Sequence, residues 1–137
     1  MLDDLGLGPA LEWQAREFSR RTGVPVTVQA DGTVDLLPES YRTCIYRVVQ
    51  EALTNCARHA SAKSIRVNLH GRPNWLALTV EDDGGGFLPE ESRGRGIGLI
   101  GIRERVGELG GSVEIFSQPG KGTLIRAELP LQEARQA

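Results

Sequence analysis

Hydrophobic side chains recur along this chain with two different spacings. The three- to four-residue spacing typical of amphipathic helices occurs in Leu7–Arg21, Pro38–Ala60 and Ile97–Leu109. The strict alternation typical of half-buried β-strands occurs in Val24–Val28, Ser64–His70, Trp75–Val80, Ser112–Ser117 and Thr123–Leu129. Hairpin turns join several strands and no regular βαβ repeat occurs. The pattern therefore predicts an α+β fold, with the helices layered on one face of a mixed sheet.

The first helix carries one large aromatic residue away from its apolar stripe. At about 100° per residue, Trp13 falls on the side opposite Leu7, Leu11, Ala15 and Phe18. Exposed aromatic surface often marks an interface, and in that case we expect Trp13 to be at least half exposed. The alternative is a tryptophan that its own domain covers in part.

Length and charge narrow the class of protein. A chain of 137 residues suits one domain, and its 39% hydrophobic and 25% charged residues are ordinary for a globular protein. The formal net charge is −2 and no basic block stands out, so the sequence gives little support to nucleic-acid binding. We expect no signal peptide at Met1, and no apolar run in the sequence is long enough to span a bilayer.

The two cysteines indicate a reducing compartment. Cys44 and Cys56 are twelve residues apart on one predicted helix, which places their Cα atoms about 18 Å apart. A disulfide requires a Cα separation below about 7 Å, so we expect two free thiols in the core. No histidine or further cysteine stands at the spacing of zinc ligands.

The second helix carries a possible metal and catalytic pair. Glu51 and Asn55 are four residues apart and share a face beside the apolar stripe. An amide oxygen suits a Mg²⁺ ion that also holds phosphates and water, and a nearby carboxylate can orient or deprotonate a nucleophile. Arg58 and His59 could extend this face toward phosphate oxygens. The alternative for the pair is a solvated polar helix face.

A second motif follows the third predicted strand. Asp82 precedes Asp83-Gly84-Gly85-Gly86, where the glycines let the backbone approach a ligand closely. A carboxylate in this place could accept a hydrogen bond from an exocyclic amine such as that of adenine. The alternative is a turn, because Asp-Gly is a common turn signal.

The third motif is a run of glycines that leads into the last helix. Residues 94–101 read GRGIGLIG and present backbone N–H groups at a helix start, which can bind an anion. The run is neither GxxxxGK[ST] nor the opening of a βαβ unit, so the P-loop and Rossmann interpretations fail. Gly122-Thr123, at the start of the last strand, could place a hydroxyl on a phosphate, or could be an ordinary turn exit.

Together and in this order, the motifs resemble the ATP-binding domain shared by sensor histidine kinases, Hsp90 chaperones, type II topoisomerases and mismatch-repair ATPases. Three stretches, RVVQEALTNCARHA, GIGLIGIRERVGELGG and GTLIRAELPL, are similar to histidine kinases of the nitrate/nitrite-sensor branch. The opening LDDLGLGPALEWQAREFSRRTG resembles that branch's link between dimerisation helices and ATPase domain. The resemblance runs from Leu2 to about Leu131. It implies a two-layer α/β sandwich of the Hsp90/gyrase/histidine-kinase type, with about three helices on one face of a mixed sheet.

The resemblance also implies cofactors and residue roles. ATP and Mg²⁺ would bind, with Asn55 on the metal and Glu51 beside it as a base or an orienting group. Asp82 would accept a hydrogen bond from the adenine amine, and Gly84 and Gly86 would shape the pocket wall. The other positions that match the family's nucleotide-binding boxes are Arg58, His59, Gly96, Ile97, Gly98, Leu99 and Thr123. Phe87–Arg95 would form a short, poorly ordered lid.

The implied function is that of a catalytic domain of a sensor histidine kinase. It would donate the γ-phosphoryl of Mg-ATP to a histidine on a dimerisation domain absent from this chain, and a response regulator would take the phosphoryl group next. We expect residues 1–23 to form a linker-derived helix packed on the domain, 24–131 the ATP-binding domain and 132–137 a frayed tail. The fragment would be monomeric and cytoplasmic, and the parent a homodimer whose membrane anchorage stays open. Two alternatives are an anti-sigma-factor-like serine kinase of the same fold and a non-catalytic nucleotide-binding module.

Overall fold

The computed structural model describes residues 6–32, 36–59, 63–84, 97–118 and 120–131, with only the backbone for 58, 59 and 97–99. The three helices are α1 (Leu7–Thr22), α2 (Glu39–His59) and α3 (Ile97–Glu108). The five strands are β1 (Val26–Ala30), β2 (Ile65–Gly71), β3 (Trp75–Asp82), β4 (Ser112–Ser117) and β5 (Thr123–Pro130). These elements confirm the predicted α+β class, and all helices and strands lie within two residues of their expected positions.

The strands form one mixed sheet in the order β1-β2-β3-β5-β4. β1 runs parallel to β2, whereas the pairs β2–β3, β3–β5 and β4–β5 are antiparallel. Antiparallel neighbours need only short turns, but the parallel β1–β2 pair needs a long crossover. That crossover contains α2, the longest helix.

Burial alternates along the strands and defines one covered face. Leu76, Leu78 and Val80 of β3 are buried, and so are Ile125 and Ala127 of β5, while the residues between them are partly exposed. Side chains alternate between the two faces of a strand, so one face of the sheet packs against the helices and the other faces solvent. The helices contribute a stripe of buried residues to the same core: Leu7, Leu11, Phe18, Tyr41, Ile45, Val48, Val49, Ala52, Ile102 and Val106.

Two details differ from the expectations drawn from the sequence. β1 begins at Val26 rather than Val24, since it pairs with β2 from the Val26–Ile65 register onward and Pro25 lacks an N–H to donate. Trp13 is 39% exposed, so the expectation that at least half of it would be exposed is wrong. It lines a groove between α1 and α2 together with Gln50, and its exposure matches the alternative of a tryptophan that its own domain covers in part.

Several expectations lie outside the residues that the structure describes. They concern the lid at Phe87–Arg95, Gly86, Gly96 and the tail at 132–137. Within the described ranges, none of the helices combines the length and the apolar character that crossing a membrane would require.

Candidate nucleotide-binding site

A row of polar side chains crosses the covered face of the sheet at one end. Asp82 of β3 pairs in register with Thr123 of β5, and Thr123 pairs with Ser117 of β4. Asp82 and Thr123 are only 7% and 8% exposed, and the Ser117 and Thr123 hydroxyl oxygens lie 2.8 Å apart. Because Asp82 continues the inward series of Leu78 and Val80, strand alternation directs its carboxylate toward the helices.

Two donors hold the Asp82 carboxylate. The backbone N–H of Gly84 donates to Oδ1 at 2.8 Å, and the Cys56 thiol of α2 donates to Oδ2 across a sulfur–oxygen distance of 3.3 Å. Burial, followed by the charge and the hydrogen bond of Asp82, raises the pKa of the Cys56 thiol. The thiol therefore keeps its proton and acts as the donor of this contact.

The backbone of Asp82 is in close contact with Gly122, in the turn before β5. Gly122 has φ +81°, and a Cβ added to it would lie 2.2 Å from the carbonyl oxygen of Asp82. Only glycine adopts this conformation readily and leaves room for the neighbouring strand. The turn before β5 thus sets the position of the residue that ends β3.

Asn55 and Glu51 lie on the same helix as Cys56, and both are partly buried. The Asn55 amide nitrogen is buried and has no hydrogen-bond partner among the described residues. Buried polar groups are nearly always paired, so this amide is available to a ligand. Arg58 and His59 lie in the last turn of α2, where only the backbone is described.

At this end of the sheet the described residues line an open cavity of about 440 Å³. Its lining includes Asp82, Thr123, Ser117 and Lys121, and it also reaches outer-face residues such as Phe116. The volume falls in the range of small-molecule pockets. Glu51, Asn55 and Gly84 are not part of this lining, so the cavity brings together only Asp82 and Thr123 of the expected residues.

The glycine-rich motif is described only from Ile97 onward. Ile97, Gly98 and Leu99 form the first turn of α3, as the sequence predicts. Of the metal-binding side chains His, Cys, Asp and Glu, the described ranges contain no group of three or more that could hold a metal ion.

Reasoning from the sequence missed three members of the site. Cys56 was assigned to the core alone, Ser117 was given no role, and Gly122 was considered only beside Thr123, in a possible phosphate contact or a turn exit. Two signals were present: Cys56 directly follows Asn55, and Gly122 directly precedes Thr123. Neither signal reveals that both residues contact Asp82, because those contacts depend on how α2 and the last turn pack on β3.

A family model described as "Histidine kinase-, DNA gyrase B-, and HSP90-like ATPase" matches residues 41–133. The chain is 35% identical over 130 residues to the signal transduction histidine-protein kinase/phosphatase DegS of Brevibacillus brevis, covering 95% of this chain and 34% of that protein. It is 34% identical over 133 residues to the oxygen sensor histidine kinase NreB of Staphylococcus carnosus, covering 96% of this chain and 38% of NreB. The chain thus spans about a third of the length of these relatives.

Solved structures share the fold. The histidine kinase domain of the blue-light activated histidine kinase from Erythrobacter litoralis superposes with a TM-score of 0.78 at 30% identity, covering 95% of this chain and 63% of that one. The histidine kinase AdeS of Acinetobacter baumannii, at 16% identity and a TM-score of 0.72 over 92% of this chain and 64% of its own, supports the fold alone. Sequence and structure agree that the chain belongs to the histidine kinase-, DNA gyrase B- and HSP90-like ATPase family.

Proposed function

We propose that this chain is the Mg-ATP-binding catalytic domain of a sensor histidine kinase that works in the cytoplasm. Its relatives DegS and NreB are named as histidine kinases, and the two cysteines are free and buried, as in proteins of reducing compartments. The observation that carries the proposal is the buried Asp82 carboxylate, which two donors hold at the rim of a cavity of ligand size.

Asp82 would recognise the base of the nucleotide. A carboxylate is an acceptor with about four lone-pair sites, and the two protein donors occupy one site on each oxygen. Capacity remains for the exocyclic amine of adenine. Thr123, opposite Asp82 in the register, would close the same side of the pocket.

The residues on α2 fit a magnesium ion. Mg²⁺ commonly binds one or two protein oxygens together with phosphates and water, and the Asn55 amide has a buried atom without a partner among the described residues. The two ends of an amide exchange places when it is turned by 180°, so Asn55 can present its oxygen to the metal. Mg²⁺ would supply charge neutralisation at the phosphates.

We further propose that Glu51 orients the acceptor group, and that Arg58, His59 and the start of α3 with Gly96, Ile97, Gly98 and Leu99 meet the phosphates. An imidazole nitrogen of a dimerisation domain would attack the γ-phosphorus, and the bond to the β–γ bridging oxygen would break, releasing ADP. A response regulator would receive the phosphoryl group. The catalytic contribution of this domain would be positioning and electrostatic stabilisation.

Calorimetric titration of Mg-ATP into Asp82→Asn tests the base-recognition step. The variant has an NH₂ where a carboxylate oxygen accepts from Gly84 or Cys56, and it loses the charged acceptor. We expect ATP affinity to fall about tenfold or more. Asp83→Asn is the matched control, because Asp83 is exposed and bonds to Ser64. Equal ATP affinity in the wild type and Asp82→Asn would refute the role of Asp82.

Phosphotransfer is tested with γ-labelled ATP and a separately purified dimerisation domain that carries the acceptor histidine. We expect label on that domain that is lost in acid and kept in base, as for phosphohistidine. Acid-stable label on a serine would instead support the serine-kinase alternative. ATP binding without any transfer would support the non-catalytic module.

A further inference from the structure

Cys56 fills space in the core and also bonds to the carboxylate of Asp82. It is 8% exposed and its thiol lies 3.3 Å from Asp82 Oδ2, while the other cysteine of α2, Cys44, is similarly buried at 7% but lines a separate groove with Arg105 and Glu108. The two thiols therefore share a helix and a degree of burial, and differ in whether they contact the carboxylate.

The contact decides how the carboxylate can present itself to a ligand. Gly84 fixes Oδ1 through its backbone, but one bond leaves the carboxylate free to turn about the side-chain torsion. The Cys56 thiol bonds to Oδ2, so both oxygens face a donor of the protein. With one donor on each oxygen, the carboxylate keeps one orientation and presents its remaining acceptor lone pairs to a ligand in a fixed direction.

We propose that Cys56 is a positioning residue that makes Asp82 selective for purines with a 6-amino group over purines with a 6-oxo group. A 6-amino group donates to the acceptor, whereas a 6-oxo group brings a second acceptor against it and leaves both unpaired. The proposal rests on the proposed nucleotide site. Cys56 acts through Asp82 and not by touching the reacting atoms.

The alternative is that Cys56 only fills space in the core. The two hypotheses predict different ratios of ATP affinity to ITP affinity. A packing role changes the stability of the fold and lowers the affinity for every purine nucleotide alike. A positioning role changes the ratio of ATP affinity to ITP affinity, since only the first nucleotide has the amine that Asp82 accepts.

The experiment compares three variants of the full chain. Cys56→Val removes the donor and adds about one methyl group, Cys56→Ser keeps a donor, and Cys44→Val makes the first change at the cysteine remote from Asp82. Binding of Mg-ATP and Mg-ITP is measured by calorimetry for each, and melting temperature is recorded alongside. Cys56→Ala replaces Cys56→Val if the branched side chain prevents folding.

We expect the wild type, Cys56→Ser and Cys44→Val to prefer ATP to ITP by similar factors. In Cys56→Val the preference should fall about tenfold, the change expected when one hydrogen bond to a charged group is lost. An unchanged ATP/ITP ratio in a folded Cys56→Val, or an equal fall in Cys44→Val or Cys56→Ser, would overturn the proposal for Cys56 alone. If the wild type binds neither nucleotide, the proposed function fails and this inference with it.

Discussion

The close approach of Gly122 to Asp82 gives a stringent test of how the site is built. Replacing Gly122 by alanine introduces a Cβ 2.2 Å from the Asp82 carbonyl oxygen and 3.2 Å from its carbonyl carbon. Such a contact is about 1 Å shorter than van der Waals distance. The atom that it meets belongs to the backbone, which cannot turn aside as a flexible side chain can. Either the end of β3 or the start of β5 must therefore move.

Gly120 allows the two costs of this substitution to be separated. It has the same φ of +81°, but a Cβ added there meets nothing within 4 Å among the described residues. Gly120→Ala therefore measures the conformational cost alone, about 1–2 kcal/mol. For a chain of this length that cost lowers the melting temperature by about 3–7 °C.

Gly122→Ala adds the cost of overpacking to the same conformational cost. Overpacking typically costs about 1–3 kcal/mol, so the total of about 2–5 kcal/mol corresponds to a fall of about 7–17 °C in melting temperature. Because the displaced atoms belong to Asp82, we also expect a roughly tenfold loss of ATP affinity, comparable to the loss of one hydrogen bond.

Thermal unfolding followed by circular dichroism and calorimetric titration with Mg-ATP measure both effects on the same samples. Gly120→Ala should bind ATP as the wild type does. If both alanine variants have the same melting temperature and the same ATP affinity, then the turn before β5 does not position Asp82, and the reasoning from the close approach is wrong.

Three further predictions concern groups with defined partners. Backbone donors before β2 hold the pKa of Asp83 below its ordinary 3.8, so Asp83→Asn should lower the melting temperature at pH 7. This difference between variant and wild type should disappear as the pH falls through the lowered pKa. A constant difference from pH 7 to pH 2 would contradict the prediction. Burial raises the pKa of Cys44 to about 11 and also raises that of Cys56. A thiol reagent at pH 8 should therefore react with neither cysteine until the protein is unfolded. Fast reaction in the folded state would mean that the two thiols are not buried as described. The Tyr41 hydroxyl donates to the Pro130 carbonyl, and Tyr41→Phe should cost about 1 kcal/mol in chemical denaturation; no change in the midpoint would mean that the bond contributes nothing.

Periodicity alone predicted most of the fold. The apolar spacing placed α2 within one residue at its start, and alternation gave the inward face of β3 through Val80. The same alternation directs Asp82 inward, so the orientation of the proposed recognition carboxylate follows from the strand pattern. These features depend on neighbours in the chain, which a sequence displays directly.

Contacts between distant segments could not be predicted in this way. Cys56 and Asp82 are 26 residues apart, and their contact depends on the depth at which α2 sits on the sheet. β1 begins two residues later than the sequence predicts for a similar reason, because its register is set by pairing with β2. The exposure of Trp13 depends on the groove between α1 and α2, which no single helical stripe describes.

The first helix and strand bear on where this domain can be divided. The family match begins at residue 41, yet Leu7 and Leu11 of α1 are completely inaccessible and belong to the same core as the matched region. β1 also covers the edge of β2, and these two strands form the only parallel pair among the described strands. An excised piece that starts at the family boundary would leave an uncovered apolar surface and an open edge on β2, and would invite aggregation. The family match is therefore shorter than the segment that shares one hydrophobic core, and domain swaps between relatives of this chain should cut before α1.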